Sequence, residues 1–277
     1  MSLIKFSKPI LRGTLVLAAV IIITSLSVDA TDTFRTSQSA LGIFAHYATT
    51  PGCPAETVPV TVNGVSLCID TYENSVGANC VIAEPASDID TAANSNDADC
   101  VPVSKPGVLP WRYVSQVQAA QLCARTHKRL PTPLEWFTAA AGTPDGSENC
   151  NVAAAVTATG EKTLCRSGVG TFDMVGNVWE FVSGESVNGM LAEAVLPAEG
   201  YVQEITADGL PRLTALVPAP IYNSDYFWSN ASGTFAIMRG GFYGSGSDGG
   251  VYSAHAAVAQ SFSSAAAGFR CVTELSS

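Results

Sequence analysis

From Pro51 onward the chain alternates short apolar runs with turn residues, and three stretches carry a readable period. Residues 58–72 (VPVTVNGVSLCIDTY) place two β-branched runs either side of Asn63-Gly64, the dipeptide favoured by a type I′ turn, and predict a β-hairpin. Ser115 with Gln118 forms a capping-box pattern ahead of Ala119, Leu122 and Cys123, which share one helical face. Thr132-Pro133-Leu134-Glu135 predicts a second helix start: the threonine caps, the proline suits the first helical position, and the glutamate returns a bond to the cap. Trp136, Phe137 and Ala140 supply the packed side of that helix. Residues 85–99 are polar and acidic and read as a surface loop, while after Gly142 the chain is rich in Gly, Ser and Ala with aromatic residues near its turns. Few helices among many short strands, with no repeat of fixed period, predict an α+β fold in place of an alternating α/β one.

The N-terminus follows another pattern. Lys5, Lys8 and Arg12 precede the uncharged apolar run 14–28, which meets Asp29-Ala30-Thr31, with Val28 and Ala30 suitably placed before a cleavage point. A positive flank, an apolar stretch of about 15 residues and small residues after it make a signal-peptide pattern. A membrane crossing needs about 20 apolar residues. Residues 31–50 nevertheless contain no strong breaker before Pro51 and can prolong one helix. The segment therefore reads either as a cleaved signal peptide or as a retained membrane anchor acting through residues 14–28. A prepilin-like cut after Gly13 is a variant of the anchor reading, although the usual acidic residue near the start of a pilin helix is missing. The expected division is residues 1–30 as signal or anchor, 31–52 as linker or helix extension, and 53–277 as one domain.

Composition narrows the class. The chain is 47% apolar and 14% charged, which argues against disorder, and its 14 basic and 24 acidic residues give a net charge of −10. An acidic chain lacks the basic face that nucleic-acid binding requires, so no nucleic-acid partner is expected. Eight cysteines, an even number, fit an exported protein stapled by disulfides, either secreted or held at the cell surface.

Three segments together resemble the formylglycine-generating enzyme, or sulfatase-modifying factor, family, whose domain is a variant of the C-type lectin fold. They are Lys128-Arg129-Leu130-Pro131-Thr132-Pro133-Leu134-Glu135-Trp136, then Phe172-Asp173-Met174-Val175-Gly176-Asn177-Val178-Trp179-Glu180-Phe181, and finally Arg239-Gly240-Gly241-Phe242 with Gly268-Phe269-Arg270-Cys271. Cys68-Ile69-Asp70-Thr71-Tyr72-Glu73 is similar to the opening strand of that family. Most of these positions read equally well as scaffold: a capped helix, a tight glycine pair, a guanidinium tying loops together, and tryptophans that fill a core. The resemblance implies a calcium ion wrapped by loop 173–180, with carboxylates from Asp173 and Glu180 and carbonyls from Gly176 and Val178, a donor set of the hard-oxygen type calcium prefers. The same loop held by its own hydrogen bonds is the rival explanation. A second family calcium site would begin at Asn151 and Val152, but its acidic portion is not recognisable in residues 158–166.

Family members that make formylglycine use two cysteines after R-G-G-S to bind copper(I), which demands soft sulfur ligands. By register from Arg239-Gly240-Gly241, Ser245 and Gly250 occupy those places in this chain. No copper is expected there. The family also implies that Cys123 pairs with Cys271; spacing then suggests Cys53 with Cys68, Cys80 with Cys100 and Cys150 with Cys165, although six cysteines alone allow fifteen connectivities. His46, His127 and His255 show no metal-binding spacing. Nor is there a phosphate loop after the Gly-Ser run 244–250, or a nucleophile elbow. The expectation is a non-catalytic binding or surface-assembly module supported by calcium. Its ligand cleft is edged by Phe242, Tyr243, Ser245, Ser247, Asp248, Tyr252 and His255, and its partner is a protein, peptide or glycan. The alternative is an oxidoreductase of the formylglycine-generating or nonheme metal type with a divergent active site.

Overall fold

Asn63 and Gly64, both at positive φ (51° and 80°), turn β1 (Thr57–Val62) back on β2 (Val65–Asp70) in the register Val62↔Val65. This is the computed structural model of the chain, and it describes residues 52–275. The signal or anchor segment and nearly all of the expected linker lie outside the described residues; among the described residues no helix is long and apolar enough to cross a membrane.

After β3 (Asn74–Val76) the chain departs from expectation. The acidic stretch contains a helix, α1 (Asp88–Asn96), capped by Ser87, whose hydroxyl accepts the Asp90 N–H. The helix buries Thr91 and Asn94, and the Thr91 hydroxyl accepts the indole N–H of Trp111 at 3.1 Å. It was hidden from hydrophobic periodicity because it packs through polar side chains. β4 (Pro102–Ser104) pairs with β3, and then α2 (Gln116–Arg125) and α3 (Pro133–Ala140) begin at Ser115 and Thr132 with complete capping boxes.

The second half builds a nine-stranded sheet from β5 (Trp179–Val187), β6 (Met190–Leu191), β7 (Ala194–Val195), β8 (Gly200–Ile205), β9 (Pro211–Ala215), β10 (Tyr226–Ser229), β11 (Thr234–Arg239), β12 (Ala254–Val258) and β13 (Ala267–Phe269). Its order is β7-β6-β5-β11-β12-β10-β8-β9, with β13 alongside β5; β14 (Val272–Glu274) returns to pair with β2. Because side chains alternate along a strand, the sheet has two distinct faces. Ile237, Val182, Phe227, Ala254 and Val202 join Trp136 of α3 and the β1–β2 hairpin in one core. Met238, Ala236, Phe181 and Trp179 join Trp111 and Leu122 of α2 in the other.

Four disulfides, Cys53–Cys68, Cys80–Cys100, Cys123–Cys271 and Cys150–Cys165, use all eight cysteines. The partners are those named from the family and from spacing. Such a complement fits an oxidising, extracytoplasmic setting.

Candidate functional site

The family-like segments meet in a buried polar seam. Arg270, fully buried, donates to both oxygens of Glu180 (2.6 and 2.5 Å) and to the carbonyls of Asp70 (3.0 Å) and Phe172 (2.8 Å). The Trp136 indole N–H adds a third bond to Glu180, at 2.7 Å. Beside this pair, Glu73 accepts the Asn177 amide (2.5 Å) and the Val178 N–H (3.1 Å). Burial, then Asp173 and Glu180 nearby, raises the Glu73 carboxyl well above its ordinary value. Asp173 accepts the Gly160 N–H at 2.6 Å, and burial pushes its pKa up to about 6 against that bond and the Arg270 charge. Lys128 reaches Asp70 at 2.5 Å, and Arg129 forks onto Glu135 at 2.6 and 2.7 Å.

This arrangement does not fit the calcium ligand set implied by resemblance. Both Glu180 oxygens are engaged by a cationic guanidinium, so a metal ion at that carboxylate would face a like charge at hydrogen-bond range. Loop 173–180 is tied to other segments: the Gly176 N–H donates to the Gly240 carbonyl (3.0 Å), the Asn177 N–H to the Asn151 carbonyl (2.8 Å) and the Val178 N–H to Glu73 (3.1 Å), with Asp173, Gly176 and Asn177 at positive φ. Asn151, at the expected start of the second site, spends its amide on Ala155, Thr157 and Asn177, while its buried carbonyl oxygen has no partner.

The R-G-G segment is likewise scaffold. Buried Arg239 donates to the carbonyls of Ser253 (3.2 Å), Gly209 (2.9 Å) and Val251 (3.0 Å) and lies over the Trp136 ring at 4.9 Å. Gly240, at φ 90°, leaves no room for a Cβ, which would fall 2.8 Å from the Met174 carbonyl oxygen.

Around the loop that follows, the expected cleft residues divide between the two faces of the sheet. Ser245 accepts the Phe242 N–H at 2.9 Å and pins the loop; Ser247 is exposed on the 3-10 turn Gly246–Asp248. At Gly250 a Cβ would lie 2.2 Å from Asp225 Oδ1 and 2.7 Å from Asp145 Oδ2, so carboxylates fill the space a side chain would need. Tyr252 turns to the first core and packs on Phe137 and Tyr222. Phe242 lies against the second core with Tyr243 edge-on at 5.2 Å.

His255 shares the second face with a row of aromatic rings that sequence reasoning missed. It stacks on Trp228 (5.7 Å) and meets Trp179 edge-on (5.8 Å); Tyr226 follows Trp228 at 4.9 Å, and Tyr201 follows Tyr226 at 5.0 Å. Register explains the row: Trp228 stands opposite His255 and Tyr226 opposite Tyr201, so β8, β10 and β12 each present rings to one side. The helix α2 covers this face near β5. Tyr201, Tyr226, Trp228 and His255 are all half-buried, with a flank open to solvent. Burial lowers the His255 pKa to about 4, leaving the ring neutral, and its Nδ1 accepts the Ala257 N–H at 3.3 Å. Burial, reinforced by Glu199, Tyr201 and Asp248, raises the Tyr226 hydroxyl. The sequence signal was the alternation Tyr226-Phe227-Trp228, with Phe227 inward and its neighbours on the opposite face.

The chain belongs to the sulfatase-modifying factor enzyme 1-like domain family, which matches residues 43–275. Comparison with curated proteins finds no sequence match. Among solved structures the chain is similar to the Major Tropism Determinant P3c variant at 18% identity, over 80% of this chain and 53% of that one, with a TM-score of 0.46. It is also similar to CarF (15% identity, 80% and 99% coverage, TM-score 0.42) and to Treponema denticola variable protein 1 (14% identity, 80% and 99%, TM-score 0.36). The chain spans about half the length of the tropism-determinant structure it matches.

Proposed function

We propose that this protein is a non-catalytic, extracytoplasmic binding module that takes its ligand across the aromatic row Tyr201, Tyr226, Trp228 and His255 and the adjoining loop from Phe242 to Asp248. The observation that carries the reading is the state of the two copper positions: Ser245 is spent on a turn bond, and the Gly250 position is closed by Asp225 and Asp145. Neither position carries sulfur, the donor copper(I) requires. What remains is a row of flat apolar rings beside serine hydroxyls and a carboxylate, suited to stacking with hydrogen bonds at one edge. A glycan or an extended peptide presents that combination of apolar face and polar edge. Residues 14–28 supply export, and attachment to the membrane where they are retained.

The test is a glycan array and a displayed peptide library probed with the wild type and with Trp228→Ala. Binding to a defined ligand class, reduced at least tenfold (about 1.4 kcal/mol) in a folded Trp228→Ala variant, is the expected result. Oxygen-dependent conversion of a cysteine peptide of the C-x-P-x-R type, with stoichiometric copper(I), would overturn the reading.

A further inference from the structure

Away from the aromatic row, a cavity of about 360 Å³ opens between β3, the segment ahead of α1 and residues 107–112. Small-molecule sites typically enclose about 300–1,000 Å³. Buried Ser75, Pro85 and Pro110 form its floor and half-buried Val76, Val108 and Leu109 its walls, while exposed Glu84 and Gly107 leave it open to solvent. Each side is pinned. The Asn94 amide of α1 donates to the Ile82 carbonyl (2.7 Å) and its oxygen accepts the Ile82 N–H (2.9 Å), which holds the segment leading to Pro85. The Trp111 N–H donates to the Asn74 carbonyl at 2.7 Å and fixes Pro110 beside β3; Thr159 accepts the Gly107 N–H (2.9 Å) and donates its own N–H to the Val108 carbonyl (2.8 Å). A cavity fixed in this way spares a ligand the cost of ordering it. Arg112 and Glu84 both line it, and among the described residues neither is within ion-pair distance of an opposite charge. The Arg112 backbone is held through its carbonyl, which accepts the Thr91 hydroxyl at 3.1 Å, and its guanidinium lies over the Tyr113 ring at 5.6 Å. On the floor, the Ser75 hydroxyl has no hydrogen-bond partner. An unpaired cation, an unpaired anion and aliphatic walls around one cavity are complementary to a small molecule that carries both charges on an apolar body.

We propose that this cavity binds a zwitterionic amino acid with an aliphatic side chain. Arg112 takes the carboxylate, for which the planar fork of a guanidinium is suited. Glu84, at the rim, takes the ammonium, so the ligand bridges two side chains that do not pair with each other. The aliphatic side chain packs on Val76, Val108 and Leu109. A carboxylate seated toward the floor also supplies the partner that the Ser75 hydroxyl lacks, and an unmet buried hydroxyl is otherwise costly. The site shares no residue with the aromatic row; it goes beyond the binding function proposed above and does not depend on it. It also gives a use to the polar packing of α1, whose Asn94 and Thr91 hold two sides of the cavity.

The experiment is calorimetric titration of leucine, isoleucine and valine into the full chain, with N-acetyl-leucine and leucinamide as probes that each lack one charge. Leucine is expected to bind the wild type, and both single-charge probes at least tenfold more weakly. Arg112→Gln should weaken leucine at least tenfold and abolish the preference for leucine over leucinamide. Glu84→Gln should weaken leucine and abolish the preference over N-acetyl-leucine. Glu84→Gln is the decisive variant, because its side chain is exposed and the fold tolerates the change; circular dichroism checks that both variants are folded. Three results overturn the proposal. The first is that none of the three amino acids binds the wild type with a Kd below about 10 mM, a threshold just weaker than −4.1 kcal/mol. The second is leucine affinity unchanged in Glu84→Gln or in folded Arg112→Gln. The third is wild-type binding of N-acetyl-leucine and leucinamide as tight as that of leucine, which would reduce the cavity to an apolar contact.

Discussion

Glu180 and Arg270 have both lost their water and depend on each other, so their removal is asymmetric in its effect. Glu180→Gln strips the buried guanidinium of its counter-charge and is expected to cost about 3–5 kcal/mol, read as a lower urea midpoint with unchanged slope. His255 makes stability depend on pH. The unfolded imidazole protonates near 6.5 and the folded one only near 4. Between these values the unfolded chain binds more protons, so stability is intact above pH 6.5 and falls by up to about 3 kcal/mol toward pH 4. In His255→Gln that acid-dependent loss should shrink, as denaturation curves at pH 7 and 4.5 would show. The identities of these residues were legible in the family-like motifs or as isolated titratable groups. Their roles were not: Glu180 meets a guanidinium 90 positions away, and no local spacing states whether a carboxylate will meet an arginine or a metal.

Local devices at the level of elements were the most legible. The type I′ dipeptide made the β1–β2 turn, and the two capping boxes began α2 and α3 because their hydrogen bonds close within three residues. Thr132→Ala should therefore cost about 1 kcal/mol in chemical denaturation. Helix α1 was illegible because it offers no apolar stripe, and its buried Thr91 and Asn94 bond to segments distant in sequence. The loop at the copper positions was legible as lacking sulfur, while its closure by Asp225 and Asp145 was not. Gly250→Cys is expected to destabilise by about 1–3 kcal/mol through overpacking. Paired with Ser245→Cys, it should not yield stoichiometric copper(I) binding, which a thiolate-sensitive absorbance titration would check.

At the scale of the molecule, Cys123–Cys271 joins α2 to the residue preceding β14 across a sequence separation of 148. Replacing both cysteines by alanine removes the largest loop constraint and should lower stability by about 2–5 kcal/mol, measured by thermal or denaturant unfolding. The amino-acid sequence by itself determined the α+β class, the hairpin, two capped helices, the disulfide-rich composition and the absence of sulfur at Ser245 and Gly250. Each rests on local periodicity, short-range hydrogen bonding, composition or a single side chain's chemistry. The tertiary structure alone decided the commitment of Glu180 to Arg270, the division of the cleft residues between two faces, the aromatic row, and the meeting of Asp145 with Asp225. Those depend on strand register and on which distant segments share a face, and such information exists only once the sheet order is set.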